Sequence, residues 1–396
     1  MNNNREVVIL SGVRTAVGKY GGSLKDLSPT QLGAIVVREA VKRAGIAGDS
    51  VGHVVFGNVI HTDAKDMYLS RVAAVNGGIP TSTPALTVNR LCGSGLQAII
   101  SAAQIVATGN ADTAIAGGSE SMSRSQYWMP NLRWGARMNN VTALDVMVGA
   151  LTDPFDEVHM GITAENVARK WGLSREDQDA LALESHQRAC YAIQECRFSG
   201  QIVPIEIKTK KGSVEFSKDE SPRADTTLES LGNLKPVFDK DGTVTAGNAA
   251  SINDGAGAVV LMERSAAEEK GTKPIARLVG YEVSGVDPKF MGIGPVPAIR
   301  NLLKRTGLSI ADMDVIELNE AFAAQALAVI RDLDLPMDKT NPNGSGISLG
   351  HPVGATGAIL TVKALHELRR IKGHHALVAL CIGGGQGIAA VFEALN

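Results

Sequence analysis

Apolar, strand-like runs alternate with amphipathic helical stretches along almost the whole 396-residue chain, and the strands tend to end in glycine-rich turns. Residues 7–10, 51–60, 85–88 and 113–118 read as strands, with helical periodicity over 31–44 and from Leu96 to a C-cap at Gly109. The pattern returns later. Strands are predicted at 274–279, 315–318 and 376–380, and helices at 296–306, 320–333 and 354–371. Such alternation predicts an α/β fold, a parallel sheet covered by helices. "ADTAIAGGSE" and "HHALVALCIGGGQG" both run a buried strand into glycines, which suggests an internal duplication. Residues 121–251 differ: they hold all three tryptophans, polar helices and a charged hairpin over 202–216. This stretch reads as an insertion folded over the sheet.

Composition narrows the function. A net charge of −2 gives no reason to expect nucleic acid or an anionic membrane as a partner. The four cysteines, Cys92, Cys190, Cys196 and Cys381, show neither disulfide nor metal-ligand spacing, and Cys190 and Cys196 read as structural. Free thiols suit a reducing compartment. Met1-Asn2-Asn3-Asn4 leads straight into the first strand, no run reaches the ~20 apolar residues of a membrane span, and the C-terminus carries no peroxisomal address. A cytoplasmic protein is expected.

Three glycine-flanked segments at strand ends carry the chemistry. Cys92, in "NRLCGSGLQA", opens a helix, where unpaired N–H groups and the helix dipole favour thiolate. An ordinary thiol is only about 3% ionised at pH 7, so a downward shift is expected to matter. His351 precedes a proline in a long glycine loop, held as a general base requires. Backbone N–H groups of Gly383 and Gly384 suit an oxyanion hole. Neither a dinucleotide fingerprint nor a P-loop is present.

Together "NRLCGSGLQA", "NEAFAAQ", "NGSGISLGHPVGATGA" and "CIGGGQG" resemble the thiolase family. "VVILSGVRTAVGKYGGSLKD", "AGGSESMS", "HMGITAENVA", "GTVTAGNAASINDGA" and "FMGIGPVPA" are similar to it too, in the family's order, closest to its bacterial broad-specificity β-ketothiolases. The resemblance implies duplicated five-layered α/β/α/β/α halves, residues 1–121 with 252–273 and residues 274–396, around an inserted coenzyme A-binding loop domain at 122–251. It also implies a homotetramer, a dimer of dimers. The implied activity is reversible Claisen condensation and thiolysis of short-chain acyl-CoA thioesters, with coenzyme A as substrate or product and no metal or other cofactor. Cys92 is then the acyl carrier, His351 the base toward it, and Cys381 the group that moves the α-proton. The enolate oxygen is met by His351 and a water held by Asn319, and the tetrahedral intermediate by N–H groups of Cys92 and Gly383. Arg223 is placed at the nucleotide phosphates and Phe238 on the adenine or pantetheine path. His159, Met160, Met291, Ala321 and Phe322 border the acyl pocket. Where the family often has "GNAS", this chain reads "GNAAS", so that the pantetheine contact is either missing at position 250 or supplied by Ser251. Lys208, Lys210 and Lys211 read as a solvated hairpin face. Two alternatives stand beside this reading: a ketoacyl synthase-like condensing enzyme, against which the second thiol of Cys381 speaks, and a non-catalytic acyl-CoA binder.

Overall fold

Strand Val7–Thr15 is buried at every position, so both faces of its sheet must be covered. The computed structural model describes residues 5–210 and 212–395 and shows how. Lys211, the N-terminal residues 1–4 and Asn396 lie outside the described residues. In the first half the strands stand in the order Ala85–Val88, His53–Gly57, Thr113–Ser121, Asn253–Glu263, Val7–Thr15. The second half runs Val315–Leu318, His375–Ile382, Gln386–Ala394, Ala276–Gly285. Outside Val315–Leu318, Thr340 pairs in parallel with Ile316 where the first half has a full strand. The duplication suggested by the sequence is therefore one of topology.

The sheets are mixed, which corrects the all-parallel expectation. His53–Gly57 is parallel to both neighbours, and Val315–Leu318 is parallel to His375–Ile382. Asn253–Glu263 and Gln386–Ala394 pair antiparallel with theirs. A parallel return needs a crossover of a dozen or more residues, and the glycine turn between Ile382 and Gln386 is far too short for one.

The two sheets meet where Val8 and Ile9 pair with Arg277 and Ala276. Between them lie helices Ser94–Ala107 and Thr356–Ile371, whose Leu96, Ile99, Leu360 and Val362 share one core with Val259 and Val378 of the sheets. Pro29–Ala44 and Leu69–Asn76 cover the outside of the first sheet; Pro295–Thr306 and Ala323–Leu333 cover the second. The order of layers is helix, sheet, helix, sheet, helix. At their first turns the central helices touch backbone to backbone. A Cβ on Gly95 would lie 2.6 Å from the Ala358 nitrogen, and one on Gly357 2.4 Å from that of Leu96. Only glycine permits that approach.

The stretch between Ser121 and Asn253 adds helices Met160–Trp171 and Arg175–Gln194 and the hairpin of Ile205–Thr209 with Gly212–Phe216. It is fastened to the first sheet: Ile202 and Val203 pair with Arg14 and Thr15, and Asp219 accepts two bonds from buried Arg14 at 2.7 and 3.0 Å. Two local expectations need correction. Cys196 lies past the end of its helix, exposed and left-handed (φ 54°), so it is no core residue. The C-cap of the helix after Cys92 is Thr108, with left-handed Gly109 (φ 79°) one position on. Among the described residues no helix is long and apolar enough to cross a membrane.

Candidate active site

Cys92 sits in a strained turn. Leu91 before it has φ 45°, a conformation costly for a side chain with a Cβ and found where the surroundings enforce it. Enforcement comes from Asn89 Oδ1, accepting the Leu91 N–H at 2.9 Å, and from Ser94 Oγ, which accepts the Arg90 N–H at 2.8 Å and donates to the Leu91 carbonyl at 2.7 Å. The N–H groups of Gly383 and of Cys92 itself point at the Cys92 sulfur. The expected acidic thiol is overturned. Burial outweighs these donors and pushes the Cys92 thiol up to about 11. A helix terminus is worth 0.3–1 kcal/mol when exposed, less than removing a charge from water costs.

Cys381, 1% exposed near the end of strand His375–Ile382, lies close enough to Cys92 for the two sulfurs to interact electrostatically; burial first, then Cys92, push its thiol upward. Cys92 also packs against the apolar cluster of Ile60, Met122, Val146 and Val353, the last of these two residues past His351. His351 is buried, and burial pulls it down to about 4, so it is neutral at pH 7. Its tautomer follows from its neighbour. The Thr356 hydroxyl donates to the Pro352 carbonyl at 2.9 Å and lies 2.7 Å from His351 Nδ1. With its one proton so used, it accepts from Nδ1–H, leaving a lone pair on Nε2. Asn319 Nδ2 stands 3.4 Å from Nε2, and its buried Oδ1 has no partner among the described residues. His351 N–H donates to Asn253 Oδ1 at 2.9 Å; Ser251 Oγ donates to the same oxygen at 2.9 Å.

The remaining expected residues divide in two. Arg223, Phe238 and Ser251 line one groove of about 770 Å³, together with His186, Leu231 and Ala250, a size suited to a cofactor-sized molecule. Met160, Met291, Ala321, Phe322 and Cys381 form one apolar cluster, against which Phe238 packs. His159 stacks on Phe238, ring centroids 4.6 Å apart, and Phe322 meets that ring edge-on at 6.3 Å. Phe238 thus joins groove to cluster. Gly383 lies against Met160: a Cβ there would be 3.2 Å from its sulfur. Lys208 and Lys210 do not line the groove.

Sequence reading missed Asn253 and Thr356, which hold His351, and Glu120, buried beneath the site. Asn253 and Glu120 stand in or at the end of fully buried strands, and polar residues inside such apolar runs were the available signal.

Comparison with known proteins gives a consistent result. The family model described as thiolase, N-terminal domain, matches residues 7–265, and that for thiolase, C-terminal domain, matches residues 272–394. The chain is 63% identical over 390 residues to beta-ketothiolase BktB of Cupriavidus necator, covering 98% of this chain and 99% of that one. It is 47% identical to the human mitochondrial 3-ketoacyl-CoA thiolase, covering 98% of each. Among solved structures, the Bacillus anthracis acetyl-CoA acetyltransferase aligns with a TM-score of 0.98 at 47% identity over 100% of both chains. A human mitochondrial 3-ketoacyl-CoA thiolase in complex with CoA aligns at 0.96 and 45%, over 99% of this chain and 98% of that one.

Proposed function

The chain belongs to the thiolase family, and from that premise we propose how its residues divide the work of an acetyl-CoA C-acyltransferase. Cys92 attacks the thioester carbonyl while Nε2 of neutral His351 takes the sulfhydryl proton; coenzyme A leaves with that proton and the acyl group stays on Cys92. The N–H groups of Cys92 and Gly383 stabilise the oxyanion, a donor being worth about 2.7–4 kcal/mol. Cys381 exchanges the α-proton of the second thioester, and Asn319 with His351 serves the enolate oxygen. Burial keeps Cys381 protonated at rest, the form that returns a proton to the enolate in thiolysis. The observation that carries this reading is two thiols from opposite halves brought within electrostatic reach, one of them under two N–H donors.

The groove of Arg223, Phe238 and Ser251 receives coenzyme A, within an insertion spanning 122–251 between halves 1–121 with 252–273 and 274–396. His159, Met160, Met291, Ala321 and Phe322 bound the acyl chain. The scheme moves protons and an acyl group only, and calls for no metal or redox cofactor. We assign the protein to the cytoplasm as a homotetramer; Trp128, Trp134 and Met138, exposed within one short stretch of the insertion, suit a subunit contact, since exposed apolar patches mark association. The test is acetylation by acetyl-CoA, mapped by mass spectrometry. We expect a burst of free coenzyme A with one adduct on Cys92. Cys381→Ser should keep that burst and lose carbon–carbon chemistry; an unacylated wild type, or a Cys381→Ser enzyme that no longer acylates, refutes the assignment.

A further inference from the structure

Glu120, 0% exposed, is the last residue but one of strand Thr113–Ser121. Its carboxylate accepts four bonds. Asn58 Nδ2 and the Ile60 N–H donate to Oε1 at 2.9 and 3.1 Å; the Val59 and Gly354 N–H groups donate to Oε2 at 3.0 and 2.8 Å. Asn58 Nδ2 also donates to the Ser119 carbonyl at 2.9 Å, which fixes the amide's orientation. Every partner is a donor, so a proton on Glu120 would have nowhere to go. Burial pushes the group up to about 8, but four N–H donors favour the ionised form, and the geometry holds it as a carboxylate. No cation is bonded to it among the described residues.

The bond to Gly354 is the only one of the four that crosses between halves. It lands in the turn joining His351 to its helix, and a Cβ on Gly354 would lie 2.3 Å from Oε2. The same charge reaches Cys92 and disfavours its thiolate.

We propose that Glu120 is a positioning residue of the transfer reaction: its carboxylate clamps the His351 turn of the second half onto the first, and its charge opposes a resting thiolate on Cys92. The sulfur then gives up its proton only as His351 takes it, and idle enzyme is spared reaction with stray electrophiles. This rests on Cys92 being the nucleophile. The titratable groups that bear on that sulfur are Cys381 and Glu120, and Asp66 is the charge that bears on Glu120.

The test compares alkylation of Cys92 by iodoacetamide, from pH 6.5 to 10, with burst acylation by acetyl-CoA. Glu120→Gln keeps the shape, removes the charge, and turns an NH2 toward N–H donors. Its acylation should fall at least tenfold while its alkylation at pH 8 rises about tenfold, the change in thiolate fraction that one pKa unit brings. Gly354→Ala displaces the carboxylate but keeps its charge; acylation should fall with the alkylation profile left at wild type. Parallel loss of both reactions in Glu120→Gln, or unchanged alkylation, overturns the proposal. Should Glu120→Gln fail to fold, Gly354→Ala decides: lowered acylation at a wild-type alkylation profile supports the proposal, and acylation at the wild-type rate overturns it. Wild-type acylation on Cys92, read in the same burst, separates failure of this inference from failure of the nucleophile assignment.

Discussion

Replacing Thr356 with valine removes a single hydroxyl and keeps the shape. The Pro352 carbonyl retains the backbone N–H groups of Ala355 and Thr356 at 2.8 and 3.0 Å, so the one group orphaned is His351 Nδ1–H, now 2.7 Å from its acceptor. In the resting enzyme the imidazole is neutral, and such a bond is worth about 1 kcal/mol. During acyl transfer the ring carries the Cys92 proton, and a bond to a charged group is worth about 1.5–3 kcal/mol. The difference, about 0.5–2 kcal/mol, falls on the transition state alone. It predicts acylation slower by roughly 2- to 30-fold at 1.4 kcal/mol per decade, with substrate binding unchanged. Rapid-quench measurement of acetyl-Cys92 against acetyl-CoA concentration separates the two. Thr356→Ser, which keeps the hydroxyl, should stay near wild type. Acylation by Thr356→Val at the wild-type rate, or a loss confined to binding, refutes the tautomer argument.

Other consequences follow from the same geometry. His351 titrates near 4 folded and near 6.5 unfolded, so its contribution is complete above pH 6.5 and is lost as pH falls toward 4, on the order of 3 kcal/mol. Urea unfolding at pH 7.5 and 5 should therefore show a smaller loss for His351→Asn than for wild type; equal losses contradict this. Asp219→Ala strands a buried Arg14 and should cost about 3–5 kcal/mol in the same assay, and a loss under 1 kcal/mol would show that the insertion is not anchored there. Phe238→Ala removes the ring between groove and acyl cluster. It should raise KM for acetyl-CoA severalfold; an unchanged KM argues against coenzyme A in that groove.

Much of the fold was legible in the chain. Ala85–Val88 and Val315–Leu318 are read with their observed limits because turn residues bound short apolar runs. Strand direction was not, since a strand buried on both faces shows no alternation to tell a hairpin from a crossover. Asn253–Glu263, which returns after a long insertion, and Gln386–Ala394, which follows three glycines, were not among the strands expected at all. At the site, residue types and motif order pointed to Cys92, His351 and Cys381, but the acidity of Cys92 was misjudged. Local helix geometry is visible in sequence, whereas desolvation by the other half of the chain is not. The supports Asn253 and Glu120 stayed hidden for the same reason: they act on residues 98 and 234 positions away.

The bare crossing of Gly95 and Gly357 leaves no side chain whose exchange could retune the spacing of nucleophile and base. Under the proposed roles, reactivity is inherited from the scaffold, while appetite for different acyl groups is written on the surrounding aromatic and thioether walls. Such a division lets substrate range drift by remodelling the walls alone, with the reacting pair left undisturbed at the centre.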